Sequence, residues 1–432
     1  MERQGKEGNG KDEIAVSVIV PFYNRKEFLE ECIESLIRQG HGGEMELILI
    51  DDASTDGSMD LCRQYLDAFV HKKLIQHARR RGVAYSRNEG MHAARGQYLF
   101  FMDSDDRMEE LVFEDVLSAL EDGPDLVLFD YVQLLGGQVL EVKKPVGDCR
   151  EGLLWKEELL ENPYWTMQLP AQAWRYVLRR GLCEDCQLQF PQLDYGEDSL
   201  FTMDVLACAQ TVYYLKKAVY GYRIQVEDSL TSRAQLDQSH MLTYFQARFL
   251  KAAEWMRREP EKQAFLQQWV QQWCTQCIRG FLFEMDWLRM VRELGQACQE
   301  ILPEYLAEVT GGLPVDTYFL RYKYQLLSAM EAAQKVYLLP ACEDNVRLAK
   351  KLNAQEQVIE AFLDNHTEAG NHNLTYVLEA GYCVQNLRES LSREDHSQSL
   401  FVICHWKRVM NSIQQQLAES GIRAEQMILM EW

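Results

Sequence analysis

A chain of 432 residues and 50.4 kDa is long enough for two or three domains of about 150 residues each. It is 47% apolar and 26% charged, which excludes global disorder and fibrous repeats. Its 45 Lys and Arg against 66 Asp and Glu leave a formal net charge of −21. The chain as a whole therefore repels nucleic-acid backbones and anionic lipid, and an anionic small ligand must meet a metal ion or a few local arginines.

The stretch 1–13 is polar, contains glycine and has no apolar h-region, so it reads as a loose tail and not as a secretory signal. No run approaches the roughly 18 apolar residues that span a bilayer. The 12 cysteines are expected as free thiols in a reducing cytoplasm. Cys183/Cys186 and Cys274/Cys277 have CxxC spacing but stand far apart, and both pairs read as ordinary buried thiols.

Residues 14–20 (IAVSVIV) read as a buried strand from their β-branched content, and residues 26–38 carry Phe28, Leu29, Cys32, Ile33 and Leu36 at helical spacing. The alternation continues with strands at 46–50, 73–76, 97–102 and 125–129 and helices at 58–69, 83–94 and 108–120. It predicts an α/β fold with a mostly parallel sheet and helices on both faces. Ligands of such sheets bind beyond the carboxyl ends of the strands, so chemistry is expected in the loops after Val20, Ile50 and Met102. Residues 150–240 mix aromatic-rich loops with Pro163, Pro170 and Pro191, and 239–334 read as mainly helical with a core-like stripe of aromatics that includes Trp255, Trp269 and Trp273. From 335 strands and helices alternate again, as in a small Rossmann-like module. Its 340–345 loop lacks glycine and places Glu343 and Asp344 where a phosphate would sit, so the module reads as structural or partner-binding. The expected division is a tail at 1–13, the main α/β domain at 14–238, a helical region at 239–334 and the Rossmann-like module at 335–432.

The first strand runs into Pro21, Phe22, Tyr23 and Asn24, where Pro21 is expected to end the strand's pairing and Asn24 to cap the next helix. Asp51 and Asp52 directly follow the apolar run ELILI, and a solvated turn explains them less well than it explains Asp56. After QYLFFM come Asp103, Ser104, Asp105 and Asp106, and three carboxylates at a buried strand end are costly without a cation. Hard divalent ions such as Mg²⁺ or Mn²⁺ suit oxygen clusters of this kind. Short acidic triplets are common on surfaces, and it is the position after an aromatic strand that gives this one weight. Arg79, Arg80 and Arg81 read as a solvated helix start, and Arg87 as a candidate diphosphate contact. On its own, Glu197-Asp198 reads as an acidic pair favoured by a helix dipole.

VSVIVPFYN, DDASTDGS, SRNEG and FFMDSDD, in this order and spacing, resemble the family 2 glycosyltransferases of GT-A fold. Trp174-Arg175-Tyr176, LQFP at 188–191, Gly196-Glu197-Asp198 and YGYR at 220–223 followed by Ser229 extend the resemblance over about residues 14–235. The resemblance implies that Asp52 bonds the nucleotide base, most often uracil, that Asp103 contacts the ribose, and that Asp105, with Asp103, holds Mn²⁺ or Mg²⁺. It implies that Pro21, Tyr23 and Asn24 line the nucleotide pocket, that Arg87 lies near the diphosphate or sugar, and that Arg223 faces the phosphate side. Asp198 would be the general base on the acceptor hydroxyl, with Glu197 beside it in support. The implied activity is inverting, metal-dependent transfer from a nucleotide-diphosphate sugar, UDP-linked, to a glycan or lipid-linked acceptor in surface-glycan synthesis. That places the enzyme in the cytoplasm, with room for peripheral contact at the inner membrane face and no nucleic-acid partner. The competing reading is a catalytically silent nucleotide-sugar-binding scaffold, against which the intact Asp52, Asp103, Asp105 and Asp198 speak. A nucleotidyltransferase should carry a Gly-rich basic loop where this chain has Pro-Phe-Tyr-Asn.

Overall fold

The computed structural model describes residues 14–144, 149–155, 172–224 except 194, the isolated residues 247, 251 and 254, and 312–431 except 342, 354–358, 366–376, 379, 394 and 406. The chain divides into two compact units, Met1–Lys251 and Ala252–Trp432.

The first unit opens with β1 (Val16–Phe22), α1 (Lys26–Ile37), β2 (Met45–Asp51), α2 (Ser58–Tyr65), β3 (His71–Gln76), α3 (Val83–Ala93) and β4 (Tyr98–Phe101). It continues with β5 (Arg107–Met108), α4 (Phe113–Leu120), β6 (Leu126–Leu135), β7 (Gln138–Lys143), β8 (Gly152–Trp155), β9 (Tyr176–Arg179), α5 (Arg180–Asp185), α6 (Glu197–Cys208) and β10 (Thr211–Arg223). One curled sheet runs β3-β2-β1-β4-β9-β6-β10-β5, with β7 on β6 and β8 on β10. β3, β2, β1 and β4 are mutually parallel, as are β6 and β10, whereas β9 enters antiparallel between β4 and β6.

Every residue of β1, β2 and β4 is buried, as continuous apolar runs covered on both faces must be. Alternation along β1 sends Val16, Val18 and Val20 to one core with Leu29, Ile33, Phe100 and Trp174, and Ile19 to the other with Ile48, Phe101, Phe190 and Phe201. Each such fully buried aliphatic side chain contributes roughly 1.5–3 kcal/mol.

Several boundaries differ from expectation. β1 does not stop at Pro21, because Pro21 pairs with Ile50 and the Phe22 carbonyl accepts from Asp52 N–H at 2.9 Å. The helix expected from 108 begins at Phe113, since Arg107 and Met108 pair with Gly221 and Tyr220. Cys183 is buried as expected, but Cys186 is exposed beyond the end of α5.

The described part of the second unit holds α7 (Val315–Ala332), β11 (Lys335–Leu339), α8 (Glu343–Asn353), β12 (Ala361–Asp364), β13 (Val384–Asn386), α9 (Leu387–Arg393), β14 (Ser399–His405), α10 (Lys407–Glu419) and β15 (Met427–Glu431). Its sheet is wholly parallel in the order β13-β12-β11-β14-β15, the doubly wound arrangement expected of the Rossmann-like module. Tyr337, Leu339, Phe401, Ile403 and Leu417 form its core. Apart from α7, nearly all of the expected helical region, with Trp255, Trp269, Trp273, Cys274 and Cys277, lies outside the described residues, as do the 1–13 tail, Pro163, Pro170 and Ser229.

Candidate active site

The loops after β1 and β2 brace each other. Asn24, at φ +51°, occupies the left-handed region that Asn tolerates. Its N–H donates to Ser54 Oγ at 3.0 Å, and its Oδ1 accepts from Thr55 N–H at 2.8 Å. Asn24 is therefore not the cap expected of α1; Arg25 holds that position, and its side chain does not cap the helix. Asp56 accepts from Lys26 N–H at 3.0 Å and from Ser58 N–H at 2.9 Å, so it serves helix starts, as a turn carboxylate is expected to do.

Asp51 and Asp52 are both buried, and both are spoken for. Asp51 accepts from Ser54 N–H at 2.8 Å and from Gln76 Nε2 at 3.2 Å. Asp52 Oδ1 accepts from Arg81 N–H at 2.6 Å and faces His77 Nδ1 at 2.8 Å, while Oδ2 accepts from Gly82 N–H at 2.9 Å. Arg80 lies 4.3 Å over the Tyr23 ring, and Arg81 3.6 Å over that of Tyr85. These two arginines are exposed, as a solvated helix start is expected to be, and each also covers an aromatic face.

The loop after β4 is pinned from β10. The Tyr220 hydroxyl accepts from Asp103 N–H at 3.1 Å and donates to Asp106 Oδ2 at 2.7 Å. Arg223 donates its N–H to Asp106 Oδ1 at 2.7 Å, Nε to the Asp105 carbonyl at 2.9 Å and Nη2 to Glu31 at 2.7 Å. Trp174 stacks on Tyr220 at 4.5 Å and on Tyr222 at 5.0 Å. The expected cluster of three carboxylates is thus a pair plus one. Asp106 is turned inward and 1% exposed, whereas the Asp103 and Asp105 side chains keep 31% and 19% exposure. Burial, then the neighbouring Asp103, push the Asp105 carboxyl up, against the pull of Arg25 at 3.6 Å. Two adjacent, partly exposed carboxylates under that strain suit a divalent cation that completes its shell with water and phosphate oxygens. Among the described residues no three His, Cys, Asp or Glu side chains converge as a ligand set, so the chain itself would supply these two.

The SRNEG segment on α3 joins this loop to α6. Arg87 is 4% exposed; Nη2 donates to Asp103 Oδ1 at 2.8 Å and Nη1 to Glu197 Oε1 at 2.7 Å, while its buried Nε has no acceptor. Burial works against its charge, but Asp103, Glu197 and Asp198 outweigh that and hold it firmly protonated. Arg87 is thus no free basic clamp: two of its faces are already taken by carboxylates. Asn88 exchanges two 2.8 Å bonds with the Phe190 backbone, and Phe190 stacks on Phe201 of α6 at 3.8 Å, which fixes the start of α6 against β4. Gly90 completes the segment. A Cβ there would lie 2.4 Å from Ile19 Cγ2, so only glycine lets α3 approach β1 this closely.

Glu197 is buried against Arg87, and Asp198 beside it stays partly exposed. Asp198 accepts from Ser199 N–H at 2.7 Å. Burial, then Glu197, push its carboxyl up to about 8, with Arg87 pulling the other way. A carboxyl raised this far binds a proton more strongly than a plain helix-start carboxylate, and its ionised form is the stronger base.

Asp103, Arg87, Glu197 and Asp198 therefore form one group. Asp105 adjoins it on the β4 loop, which Arg223 holds from the end of β10; Pro21 stands near the end of β1, and Tyr23, Asn24 and Asp52 lie in the loops after β1 and β2. Sequence reasoning missed His77, whose Nε2 also faces Glu89 at 2.6 Å, and the holding roles of Tyr220 and Glu31. Tyr220 stands inside the YGYR motif; His77 and Glu31 carry no signal in the sequence.

The family model of glycosyl transferase family 2 matches residues 17–169. EpsJ of Bacillus subtilis (strain 168), an uncharacterized glycosyltransferase, is 30% identical over 245 residues, covering 54% of this chain and 68% of that protein. EpsH of the same organism, provisionally described as a glycosyltransferase, is 28% identical over 339 residues, or 75% of this chain and 95% of EpsH. Among solved structures, Staphylococcus aureus TarS 1–349 in complex with UDP-GlcNAc superposes with a TM-score of 0.60 at 22% identity, over 72% of this chain and 88% of that one.

Proposed function

The chain belongs to glycosyltransferase family 2 and is a glycosyltransferase, and on that premise we propose that it is an inverting, metal-dependent member. It moves a sugar from a UDP-linked donor to an acceptor hydroxyl in the synthesis of a bacterial surface glycan. The observation that carries this reading is the Arg87 bridge. One buried guanidinium ties Asp103 to Glu197, so the acidic loop and Asp198 work on one small space.

On the donor side Asp52 receives the base. Three donors already occupy its two oxygens, which leaves about one in-plane acceptor position, on Oδ2. Uracil offers one imide N–H to such a position; cytosine offers an acceptor there and would be repelled. Pro21, Tyr23 and Asn24 line the pocket, Asp103 takes the ribose, and Arg223 steadies the phosphate side through the loop backbone it holds. Asp105 and Asp103 would hold Mn²⁺ or Mg²⁺, which when bound neutralises charge on the leaving diphosphate.

On the acceptor side Asp198 removes the hydroxyl proton as that oxygen bonds to the anomeric carbon and the bond to the diphosphate oxygen breaks. A raised carboxyl pKa makes Asp198 a stronger base, and one base opposite the leaving group inverts the anomeric configuration. Arg87 and Glu197 orient it. A surface-glycan acceptor is supported by relatives named as a teichuronic acid biosynthesis glycosyltransferase and a poly(ribitol-phosphate) β-N-acetylglucosaminyltransferase. No helix among the described residues is long and apolar enough to cross a membrane. A lipid-linked acceptor would be met by peripheral contact at the inner face. The domain limits 14–238 and 335–432, with the latter as a structural or partner-binding module, belong to the same proposal.

The test is calorimetry of UDP with and without Mn²⁺, together with NMR of the product linkage. Equal affinity in excess chelator overturns the metal role, and a product that keeps the donor's configuration overturns inversion.

A further inference from the structure

His77 lies at the end of β3 with its ring 6% exposed, between two carboxylates from different elements. Nδ1 faces Asp52 Oδ1 at 2.8 Å, and Nε2 faces Glu89 Oε2 at 2.6 Å. The imidazole bridges the two carboxylates and is a rigid strut from the β2 loop to α3. The Tyr85 ring meets it edge-on at 5.4 Å and so fixes its plane. Glu89 is the outer end of the strut, with 36% exposure.

The donors around Asp52 divide by kind. Arg81 and Gly82 give backbone N–H groups, which come from the loop itself and hold the carboxylate in place. His77 is the side-chain group at hydrogen-bond distance, and it completes Oδ1, leaving the open acceptor position on Oδ2, with Arg80 Nε 4.0 Å from that oxygen. A pocket of about 300 Å³ adjoins the strut, lined by His77, Ala78, Arg79, Arg81, Tyr85 and Glu89. A shortened side chain at 77 would be replaced there by water, not by repacking, which would leave Oδ1 with the Arg81 N–H alone and loosen the hold on the Asp52 carboxylate.

We infer that His77, held by Glu89, is a positioning residue for nucleobase selection: it fixes which oxygen of Asp52 faces the base. The inference rests on Asp52 being the base-binding residue. It concerns selectivity at the base and leaves the diphosphate side untouched.

The experiment measures affinities of UDP, GDP and inorganic pyrophosphate by calorimetry, with Mn²⁺ present throughout, for the full chain and for His77→Ala, His77→Gln, Glu89→Gln and Asp52→Asn. His77→Ala is expected to weaken UDP about tenfold, to narrow the UDP-to-GDP preference, and to leave pyrophosphate unchanged. His77→Gln keeps one donor toward Asp52 and should recover part of the loss, and Glu89→Gln should cost less than His77→Ala. If UDP and pyrophosphate weaken together, His77 is only structural and the inference fails. If Asp52→Asn weakens UDP selectively while both His77 variants bind it normally, the inference fails and the base-binding reading stands. If Asp52→Asn binds UDP normally, that reading fails and the inference goes with it. Should His77→Ala not fold, His77→Gln, which keeps a polar side chain of similar reach, separates the same outcomes.

Discussion

Parallel strands in the two sheets of this chain end in loops of opposite character. After β4 in the first unit, Asp106 is drawn inward by Tyr220 and Arg223, which leaves Asp103 and Asp105 partly exposed at the sheet's carboxyl end. After β11 in the second unit, two polar groups of the loop are already taken up by nearby residues. The Ala341 N–H, a group that could have met a phosphate, donates to Asp364 at 3.0 Å, and Asn345 Nδ2 donates to the Pro340 carbonyl at 2.8 Å. The architecture is shared and the readiness for a ligand is not. What differs is whether the loop's polar groups are satisfied from within or left turned outward.

The largest expected effect tests the open side. Asp198→Asn is nearly isosteric but cannot take a proton, so single-turnover transfer should fall about 10²- to 10⁴-fold while UDP affinity stays within error. Near-normal turnover would remove Asp198 from the role of base. Glu197→Gln should cost less. Next, Asp105→Asn should abolish the gain in UDP affinity on adding Mn²⁺; an unaltered gain would move the metal elsewhere. Tyr220→Phe strips Asp106 of one donor and Asp103 N–H of its acceptor, so urea unfolding should show a loss of about 1–3 kcal/mol. An unchanged midpoint would mean that the loop holds itself.

Asp198 also predicts a slope with pH. Its carboxyl is raised from 3.8 to about 8, so between those values the native state keeps a proton that the unfolded chain has released. Stability conferred on the protonated form is therefore lost as pH rises through that window. Asp198→Asn lacks the slope, and melting temperatures of the two chains should diverge in the variant's favour until about pH 8. Parallel curves would mean that the carboxyl titrates normally. The smallest expected signal belongs to the loop after β11: equilibrium dialysis should detect no NAD or NADP binding that survives blocking the first unit with UDP. Saturable binding there would erase the contrast between the two sheets.

Much of the first unit is legible in the sequence because its signals are local. The apolar runs of β1, β2 and β4 and the helical spacing of Leu29, Cys32, Ile33 and Leu36 need no distant partner to be read. The rest depends on pairings across long stretches of chain. Nothing local distinguishes Asp106 from Asp103 and Asp105; the partners that turn it inward are Tyr220 and Arg223, more than a hundred positions away. Arg87 looks like a free cation until Glu197, 110 positions on, comes to meet it. The mixed half of the sheet is hard to read for a similar reason, since the 13 residues of β10 alternate too irregularly to announce a long strand, and two shifts of register with β6 reflect that irregularity.

Gly90 sets a tolerance for the whole group. With a methyl only 2.4 Å from Ile19 Cγ2, an alanine would have to lift α3 away from β1 by a good fraction of an ångström or more. Arg87, one turn earlier on that helix, reaches Asp103 and Glu197 at 2.8 and 2.7 Å, lengths with little slack. A lift of that size would stretch both contacts beyond bonding range together and leave two carboxylates without their shared cation. A residue with no side chain, packed against Ile19 and Ile50, thus acts as the gauge block that sets the distance across which Arg87 joins Asp103 to Glu197.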